Sequence, residues 1–325
     1  MKYPLLALVG LLLAACSSAP APTDVPRPTW AIALHGGAGT IPRTTPPEQA
    51  EAYRAALTAA LRVGAERLEA GVPALDVVEE VVRQMEDEPL FNAGRGAVFT
   101  ETGGHELDAS IMDGATLACG AVTGVSTVRH PITLARAVME RTSHVLLAGD
   151  GAERFADEVG VERVENGWFS TERRREQLER ALERRSRESG GGTVGVVALD
   201  RYGHLAAATS TGGMTAKRWG RVGDTPILGA GNFADDRTCA VSGTGTGEQF
   251  IRHGVARAIA DRMELAGMSA RQAAEEVVHG RLEPGDGGVI VVARNGEIAL
   301  VYNSEGMFRG AADATGRFEV AIWEE

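Results

Sequence analysis

The feature of this sequence with the clearest chemical meaning is Thr193, which follows three glycines and opens an apolar segment, GGGTVGVVAL at 190–199. Glycine adopts backbone angles closed to other residues, so the cluster indicates either strained geometry or a point where the chain is cut. If the Gly192–Thr193 bond breaks, the Thr193 hydroxyl lies beside its own α-amine, whose pKa of roughly 8 suits a general base. A threonine activated in this way is a known nucleophile. The junction predicts self-cleavage and threonine catalysis; the plainer alternative is an ordinary threonine at the start of a strand.

Four glycine-rich motifs accompany this junction, in the order HGGAG (35–39), TSTGGMT (209–215), GRVGD (220–224) and SGTGTGE (242–248). None is specific alone. In this order and at this spacing, however, they resemble the plant-type L-asparaginase/isoaspartyl peptidase family of N-terminal nucleophile hydrolases, from residue 30 to residue 310. The resemblance implies a self-processing enzyme that cleaves β-aspartyl dipeptides and L-asparagine. It implies a covalent β-aspartyl ester on Thr193 and no cofactor for catalysis.

The segment GTGTG at 243–247 offers hydrogen-bond donors for the negative charge that develops on the carbonyl oxygen when a hydroxyl attacks an amide. It supplies a hydroxyl and main-chain N–H groups just ahead of a helix predicted to begin near Gly247. The resemblance assigns the oxyanion hole to the side chain of Thr244 and the N–H of Gly245. A glycine-rich turn that caps the helix through Thr246 is the simpler explanation, and both can hold together.

Two further polar residues are assigned to the neighbourhood of the nucleophile by the resemblance. Thr211 would hydrogen-bond near Thr193 and tune it; otherwise it is a turn residue at the end of a strand. Asn92, in the sequence LFNAGRG (90–96), would orient the nucleophile; otherwise it is an asparagine that bonds its own turn.

Arg221 and Asp224 are the candidate substrate-binding residues. A free α-carboxylate is best bound by a guanidinium and an α-ammonium by a carboxylate, and their spacing on a glycine-flanked loop can bring both to one small site. A surface ion pair of little energetic value is the alternative. The resemblance adds the main-chain carbonyl of Gly247 as a second partner of the ammonium.

The resemblance also implies a sodium ion held by main-chain carbonyls of the loop at 85–95. Carbonyl ligation is typical of hard cations. The residues assigned to this loop are Met85, Glu86, Glu88, Phe91, Ala93 and Arg95. The proposed mechanism requires no histidine, and we therefore expect His35 to be packed beside a tight turn.

The order of the predicted elements indicates an α+β fold. Helices are expected at 46–70, 74–85, 134–141, 151–159, 247–266 and 269–280, with a charged helix or linker at 172–187. Strands are expected at 30–34, 107–112, 117–125, 193–199, 204–210, 288–293 and 297–302. Strands that pair as hairpins, with helices before and after them, argue against a parallel doubly wound sheet. The resemblance implies a four-layer αββα sandwich, formed by an α subunit (30–192) and a β subunit (193–325) that assemble as an (αβ)2 heterotetramer.

The net charge and the cysteine content argue against several classes of function. The net charge of −11 disfavours binding to nucleic acid or to anionic membrane surfaces. The three cysteines form no CxxC pair and no cluster with histidine, which argues against a transition-metal site. Cys119 and Cys239 are expected to be buried thiols, although a disulfide between them is open.

The first residues resemble an export signal. Lys2 precedes an apolar stretch at 5–14 that is too short to span a bilayer, followed by a lipobox-like LAAC that ends at Cys16. This pattern predicts a signal peptide at 1–15, lipidation of Cys16, a Pro/Ala-rich tether at 16–29 and an exported lipoprotein of the bacterial envelope, with the outer membrane favoured. Its only membrane contact would be the lipid anchor. An ordinary cleaved signal is the alternative.

The sequence is compatible with two other functions. Glycosylasparaginase, from the same superfamily, would use the same nucleophile on asparagine-linked sugars. A non-catalytic lipoprotein that stays uncleaved and binds amino acids or peptides is the second possibility.

Overall fold

A computed structural model describes residues 28–39, 41–184 and 192–324. The predicted signal peptide, Cys16 and the tether up to residue 27 lie outside these ranges, as do Gly190 and Gly191. The described residues form a mixed α/β structure with two β-sheets.

Sheet 1 has eight strands in the spatial order β12–β11–β1–β5–β6–β2–β3–β4. All neighbours are antiparallel except β3 and β4. The strands are β1 (Ala31–Gly39), β2 (Leu107–Asp113), β3 (Cys119–Val125), β4 (Leu146–Ala148), β5 (Val194–Leu199), β6 (Leu205–Thr211), β11 (Gly306–Asp313) and β12 (Phe318–Ala321).

Sheet 2 has four antiparallel strands in the order β10–β9–β8–β7. They are β7 (Asn232–Ala234), β8 (Cys239–Gly245), β9 (Gly287–Ala293) and β10 (Ile298–Tyr302). Strands β1, β5 and β6 of sheet 1 contact β8 or β9 of sheet 2, so the two sheets face each other.

The helices divide between the two sheets. Helices α1 (Pro47–Glu69), α2 (Ala74–Asp87), α3 (Pro131–Arg141) and α4 (Gly149–Val159) contact sheet 1, and α6 (Gly247–His253), α7 (Val255–Ala266) and α8 (Ala270–Gly280) contact sheet 2. Helix α5 (Glu172–Arg184) and a short 3-10 helix (Asn166–Phe169) precede the gap in the described chain. The predicted single helix at 247–266 is two helices, because Gly254 has a left-handed φ of 54° that breaks the hydrogen-bond ladder.

The side chains of the central strands of sheet 1 alternate between its two faces, and both faces are buried in hydrophobic clusters. In β1, Ile32 and Leu34 pack with α1 and α2, whereas Ala31 and Ala33 pack with sheet 2. Both faces of β5 are buried in the same way. Because side chains alternate along a strand, Thr193, one residue before β5, continues the row of positions that faces sheet 2.

Cys119 and Cys239 are free thiols, so the disulfide that the sequence left open is not formed. Cys239 is buried as expected, and burial raises its pKa to about 12, whereas Cys119 is only partly buried. None of the described helices has the length and apolar character that a membrane span needs. Within the described ranges, no three His, Cys, Asp or Glu side chains are grouped as metal ligands.

Candidate active site

Thr193 lies at the entrance to the central strand β5. Its side chain is buried, and its hydroxyl lies 3.3 Å from that of Thr211 at the end of β6. Thr211 donates its own hydrogen to the carbonyl of Gly192, at 3.0 Å. Since a hydroxyl has a single hydrogen, Thr193 is the donor in the bond between the two threonines.

The carbonyl of Gly192 has a second donor, the side-chain amide of Asn92, at 2.7 Å. Gly192 itself has a φ of 93°, a left-handed conformation that disfavours any residue with a Cβ. A Cβ on Gly37 would lie 2.9 Å from the Gly192 Cα, so the HGGAG segment packs directly against the junction. The peptide that precedes Thr193 therefore accepts two side-chain hydrogen bonds at its carbonyl and packs closely against Gly37.

Asn92 lies in the loop that follows α2 and is almost fully buried. Its Oδ1 accepts the Val98 N–H at 2.8 Å, which fixes the orientation of the amide. Its Nδ2 then reaches both the Gly192 carbonyl and, at 2.8 Å, the Gly213 carbonyl. The structure thus brings Asn92 to the junction across 100 residues of sequence.

Thr244 and Gly245 end strand β8 on the opposite sheet. The Thr244 hydroxyl is buried and accepts the N–H of Ala38 at 3.2 Å. Gly245 has a φ of 152°, and a Cβ there would lie 1.9 Å from the carbonyl oxygen of Asp286. Thr246 is the N-cap residue of α6, but its side chain forms no capping hydrogen bond.

Arg221, Asp224 and Gly247 come together at the start of α6. A Cβ on Gly247 would lie 2.8 Å from Nη2 of Arg221 and 2.9 Å from Oδ1 of Asp224. Among the described residues, Oδ2 of Asp224 is buried without a hydrogen-bond partner. Burial raises the pKa of Asp224 to about 7, because the carboxylate is poorly stabilised away from water.

Sequence reasoning missed Glu248, which binds Arg221. Its two carboxylate oxygens lie 3.1 Å from Nε and 2.9 Å from Nη2 of the guanidinium. Glu248 is the last residue of the SGTGTGE motif, and that position was the only signal in the sequence. The fork-like contact fixes the orientation of Arg221.

Thr193, Thr211, Arg221, Asp224 and Gly245 line one small pocket of about 60 Å³, whereas Asn92, Thr244 and Gly247 are not among its lining residues. Its wall contains Ala38, Gly39, Gly192, Thr193, Thr211, Gly213, Met214, Arg221, Gly223, Asp224, Thr225, Gly245, Thr246, Gly285 and Asp286. The arrangement places a hydroxyl nucleophile, a guanidinium and a carboxylate around one space. Chemically, it can bind a small amino acid head group and present its side chain to Thr193.

The loop assigned to sodium is partly buried, with Pro89 and Arg95 exposed, and several of its main-chain carbonyls turn inward. Those of Pro89 and Phe91 converge on Gly96, where a Cβ would lie 2.5 and 2.7 Å from them. The carbonyls of Met85, Glu86 and Glu88 accept main-chain N–H groups of the same loop. Ala93 is buried, and the Arg95 guanidinium lies over the ring of Trp168, 5.8 Å from its centroid. The donor set, main-chain carbonyl oxygens, is compatible with a hard monovalent cation.

Comparison of the sequence with known proteins identifies the family of this chain. A model of the asparaginase family matches residues 28–322. The chain is 52% identical to an isoaspartyl peptidase of Salmonella typhimurium, over 90% of this chain and 98% of the relative, and 51% identical to an isoaspartyl peptidase of Escherichia coli, over 90% and 96%. It is 44% identical to a probable isoaspartyl peptidase/L-asparaginase of Arabidopsis thaliana, over 91% and 99%.

The same relatives contradict the predicted localisation. They come from bacteria, plants and animals, and none of their names indicates a lipoprotein. The family match begins only at residue 28, after the segment on which that prediction depended. The predicted localisation in the bacterial envelope is therefore wrong, and none of these relatives supports the lipid anchor predicted at Cys16.

The family match over residues 28–322, together with relatives that align over nine-tenths of the chain, shows that this protein belongs to the asparaginase family and is a hydrolase.

Proposed function

We propose that this chain is a self-processing amidohydrolase that cleaves β-aspartyl dipeptides and L-asparagine with Thr193 as its nucleophile. The observation that carries the proposal is the position of Thr193, bonded to Thr211 in the pocket that Arg221 and Asp224 also line. The relatives named isoaspartyl peptidase, at 51–52% identity, support the substrate class.

Maturation would begin with attack of the Thr193 hydroxyl on the carbonyl carbon of Gly192. The donors from Asn92 and Thr211 stabilise the oxyanion that forms on that carbonyl. The carbon–nitrogen bond then breaks, the hydroxyl proton ends on the Thr193 nitrogen, and an ester links Gly192 to the Thr193 oxygen. Water hydrolyses this ester, which leaves a carboxylate on Gly192 and a free amine on Thr193. The products are an α subunit that ends at residue 192 and a β subunit of residues 193–325.

Turnover would repeat this chemistry on a substrate. The free amine of Thr193 takes the hydroxyl proton, and the oxygen attacks the β-carbonyl of the substrate. Thr244 and the Gly245 N–H stabilise the resulting oxyanion from the facing sheet. The leaving amine or ammonia takes the proton, and water then releases aspartate from the ester.

Recognition would depend on the group at the start of α6. Arg221 binds the α-carboxylate, and Asp224 with the Gly247 carbonyl binds the α-ammonium. Because Asp224 has a buried oxygen without a partner in the described structure, a substrate ammonium would supply the missing donor and stabilise the charged carboxylate.

The order of the helical and sheet layers also supports a four-layer αββα sandwich. Helices on sheet 1, sheet 1 on sheet 2 and helices on sheet 2 follow one another through the molecule. We propose that these are the layers of the αββα sandwich of N-terminal nucleophile hydrolases. The (αβ)2 heterotetramer is proposed on the resemblance alone, and light scattering of the processed protein would test it.

Sodium is proposed as a structural ion of the loop at 85–95. The convergence of the Pro89 and Phe91 carbonyls on Gly96 supports it. Bound there, the ion would stabilise the loop that carries Asn92. We expect a higher melting temperature in NaCl than in choline chloride at equal ionic strength, because binding to the folded state alone stabilises it. Equal melting temperatures would exclude the ion.

The decisive experiment combines intact-mass analysis with substrate assays on the chain from residue 28 and on its Thr193→Ala variant. Two fragments in the wild type alone, one beginning at Thr193, would establish the nucleophile. Hydrolysis of β-Asp-Leu and asparagine, but not of their N-acetylated forms, would establish the recognition mode. Faster turnover of N-acetylglucosaminyl-asparagine would favour glycosylasparaginase instead, and saturable binding without turnover would favour a non-catalytic protein.

A further inference from the structure

A row of side chains crosses the face of sheet 1 that looks toward sheet 2, two residues beyond Thr193. In the strand register, His35 of β1 lies opposite Gly195 of β5, and Gly195 lies opposite Thr209 of β6. Directly opposed residues of antiparallel strands point to the same face. His35 and Thr209 therefore flank Gly195, which has no side chain of its own.

Ser242 of the facing strand β8 fills the space above Gly195. A Cβ on Gly195 would lie 2.0 Å from the Ser242 Oγ and 2.4 Å from the His35 Nε2. The Ser242 hydroxyl lies 2.9 Å from His35 Nε2 and 2.8 Å from Thr209 Oγ1. Ser242 thus bridges the two side chains, and glycine is required at 195 because the hydroxyl occupies the position of a methyl group.

The direction of these hydrogen bonds follows from the Thr193 carbonyl. His35 Nδ1 lies 2.9 Å from that oxygen, and a carbonyl only accepts, so Nδ1 carries the proton. His35 is fully buried, and burial lowers its pKa to about 3, which keeps the ring neutral. Nε2 is then an acceptor, and Ser242 must donate to it.

The other end of the row is fixed by a second carbonyl. Asn232 Nδ2 lies 3.1 Å from the carbonyl of Ser110 and 3.1 Å from Thr209 Oγ1. The amide nitrogen therefore donates to Thr209, and Thr209 donates to Ser242. Every bond points the same way, from Asn232 through Thr209, Ser242 and His35 to the Thr193 carbonyl.

We propose that this relay of Asn232, Thr209, Ser242 and His35 positions the main chain of Thr193 for both self-cleavage and turnover. The register of β1 against β11 shifts between His35 and Gly37, and the pairing of β1 with β5 ends at His35 and Gly195, before Thr193. The His35 side chain supplies the donor that the strand does not. Once Thr193 is a chain terminus, the hydrogen bond to its carbonyl restrains rotation about the Cα–C bond, and with it the direction in which the amine and the side chain together face the pocket. The inference rests on Thr193 being the nucleophile proposed above.

The test compares Ser242→Ala with a matched control, Ser170→Ala. Ser170 bonds His105 Nε2 at 3.0 Å while His105 Nδ1 contacts the Val98 carbonyl at 3.1 Å, which is the same Ser–His–carbonyl arrangement on a carbonyl other than that of Thr193. We expect Ser242→Ala to lower the self-cleavage rate and kcat for β-Asp-Leu about tenfold, the effect of one buried hydrogen bond, with KM unchanged. Ser170→Ala should leave both rates within about twofold. Ser242→Cys, with its weaker donor, should fall between Ser242→Ala and the wild type and also serves if the alanine variant does not fold.

The tautomer of His35 gives a readout that needs no turnover. In the 15N-labelled protein, assigned with His35→Asn, the ring should carry its proton on Nδ1 and should not titrate between pH 5 and 9. A proton on Nε2, a charged ring, wild-type rates in Ser242→Ala, or an equal loss of rate in Ser170→Ala would overturn the relay. A wild type that neither cleaves nor turns over would instead refute the proposed function.

Discussion

Thr193 donates a hydrogen bond to Thr211 at 3.3 Å, while Thr211 donates its only hydrogen to the carbonyl of Gly192 at 3.0 Å. The Thr211 hydroxyl therefore contacts the proposed nucleophile and also polarises the carbonyl that this nucleophile would attack. Because Thr193 is the donor between the two threonines, the lone pairs of its oxygen would be available for the attack.

Thr211→Val keeps the shape of this side chain and removes its hydroxyl. We expect the self-cleavage rate to fall by about 10²–10³, the usual loss for one oxyanion donor. Thr211→Ser should retain most of the rate. The fraction of cleaved chain against time, followed by mass spectrometry, measures both; similar rates in Thr211→Val and the wild type would remove Thr211 from the mechanism.

Asn92→Ala removes the second donor to the Gly192 carbonyl. We expect a similar slowing of self-cleavage, by about 10²–10³. Asn295→Ala is a suitable control, because Asn295 is an exposed asparagine whose side chain bonds only the Glu297 N–H among its described contacts. Equal cleavage rates in the two variants would argue that Asn92 only holds its own loop.

Gly247→Ala should separate turnover from maturation. The added methyl would lie 2.8 Å from Nη2 of Arg221 and 2.9 Å from Oδ1 of Asp224, so it crowds the substrate-binding pair without contact to Gly192. We expect KM for β-Asp-Leu to rise by about 10–200-fold, equivalent to about 1–3 kcal/mol, with normal self-cleavage. Gly280→Ala, where nothing lies within 4 Å of the new methyl, is the control. A normal KM in Gly247→Ala would show that the substrate head group binds elsewhere.

The pH dependence of turnover should report Asp224. Its pKa of about 7 means that the carboxyl becomes protonated as the pH falls below neutrality and no longer attracts an ammonium. Protonation of the Thr193 amine, with a pKa of roughly 8, should by itself lower kcat/KM for β-Asp-Leu about tenfold per pH unit, and protonation of Asp224 should steepen the fall to about a hundredfold per unit below pH 7. Asp224→Asn should be less active at all pH values and keep only the shallower limb. An unchanged limb in Asp224→Asn would assign it to another group.

The same shift predicts the pH dependence of stability. The carboxyl has a raised pKa in the folded state and a pKa of about 4 when unfolded, so the folded state binds more protons between about pH 4 and pH 7. Its contribution to the free energy of unfolding therefore falls as pH rises through this window. Without substrate, Asp224→Asn should melt at a higher temperature than the wild type at pH 8 and at a similar temperature at pH 4. A lower melting temperature at pH 8 would contradict this.

The sequence predicted single candidate residues of the site better than it predicted their contacts. Gly192 is recognisable because its positive φ and the close approach of Gly37 leave few alternatives to glycine. The convergence of Asn92 on Gly192 depends on how a loop after α2 folds over β5, which no local pattern encodes. Glu248 was missed for the same reason, since its contact with Arg221 joins a loop to the first turn of a helix.

Secondary structure was predicted best where periodicity is strong. Helices α1 and α2 have long amphipathic patterns, and their bounds agree with expectation within a few residues. Strands β4, β7, β8, β11 and β12 were not predicted, because β4 and β7 have only three residues each and the other three contain glycine or charged residues that weaken the alternation. The break at Gly254 was missed because the residues on both sides continue a helical pattern.

The strand order of sheet 1 has a consequence for the processed protein. Strand β1 lies before the Gly192–Thr193 junction in the sequence. In the sheet, however, it lies between β11 and β5, and both of these strands come after the junction in the sequence. A cut at Gly192 would thus yield two polypeptides whose strands interleave in one sheet. They should co-purify without a covalent link and melt together in a single transition, since neither can leave without exposing the edges of the other.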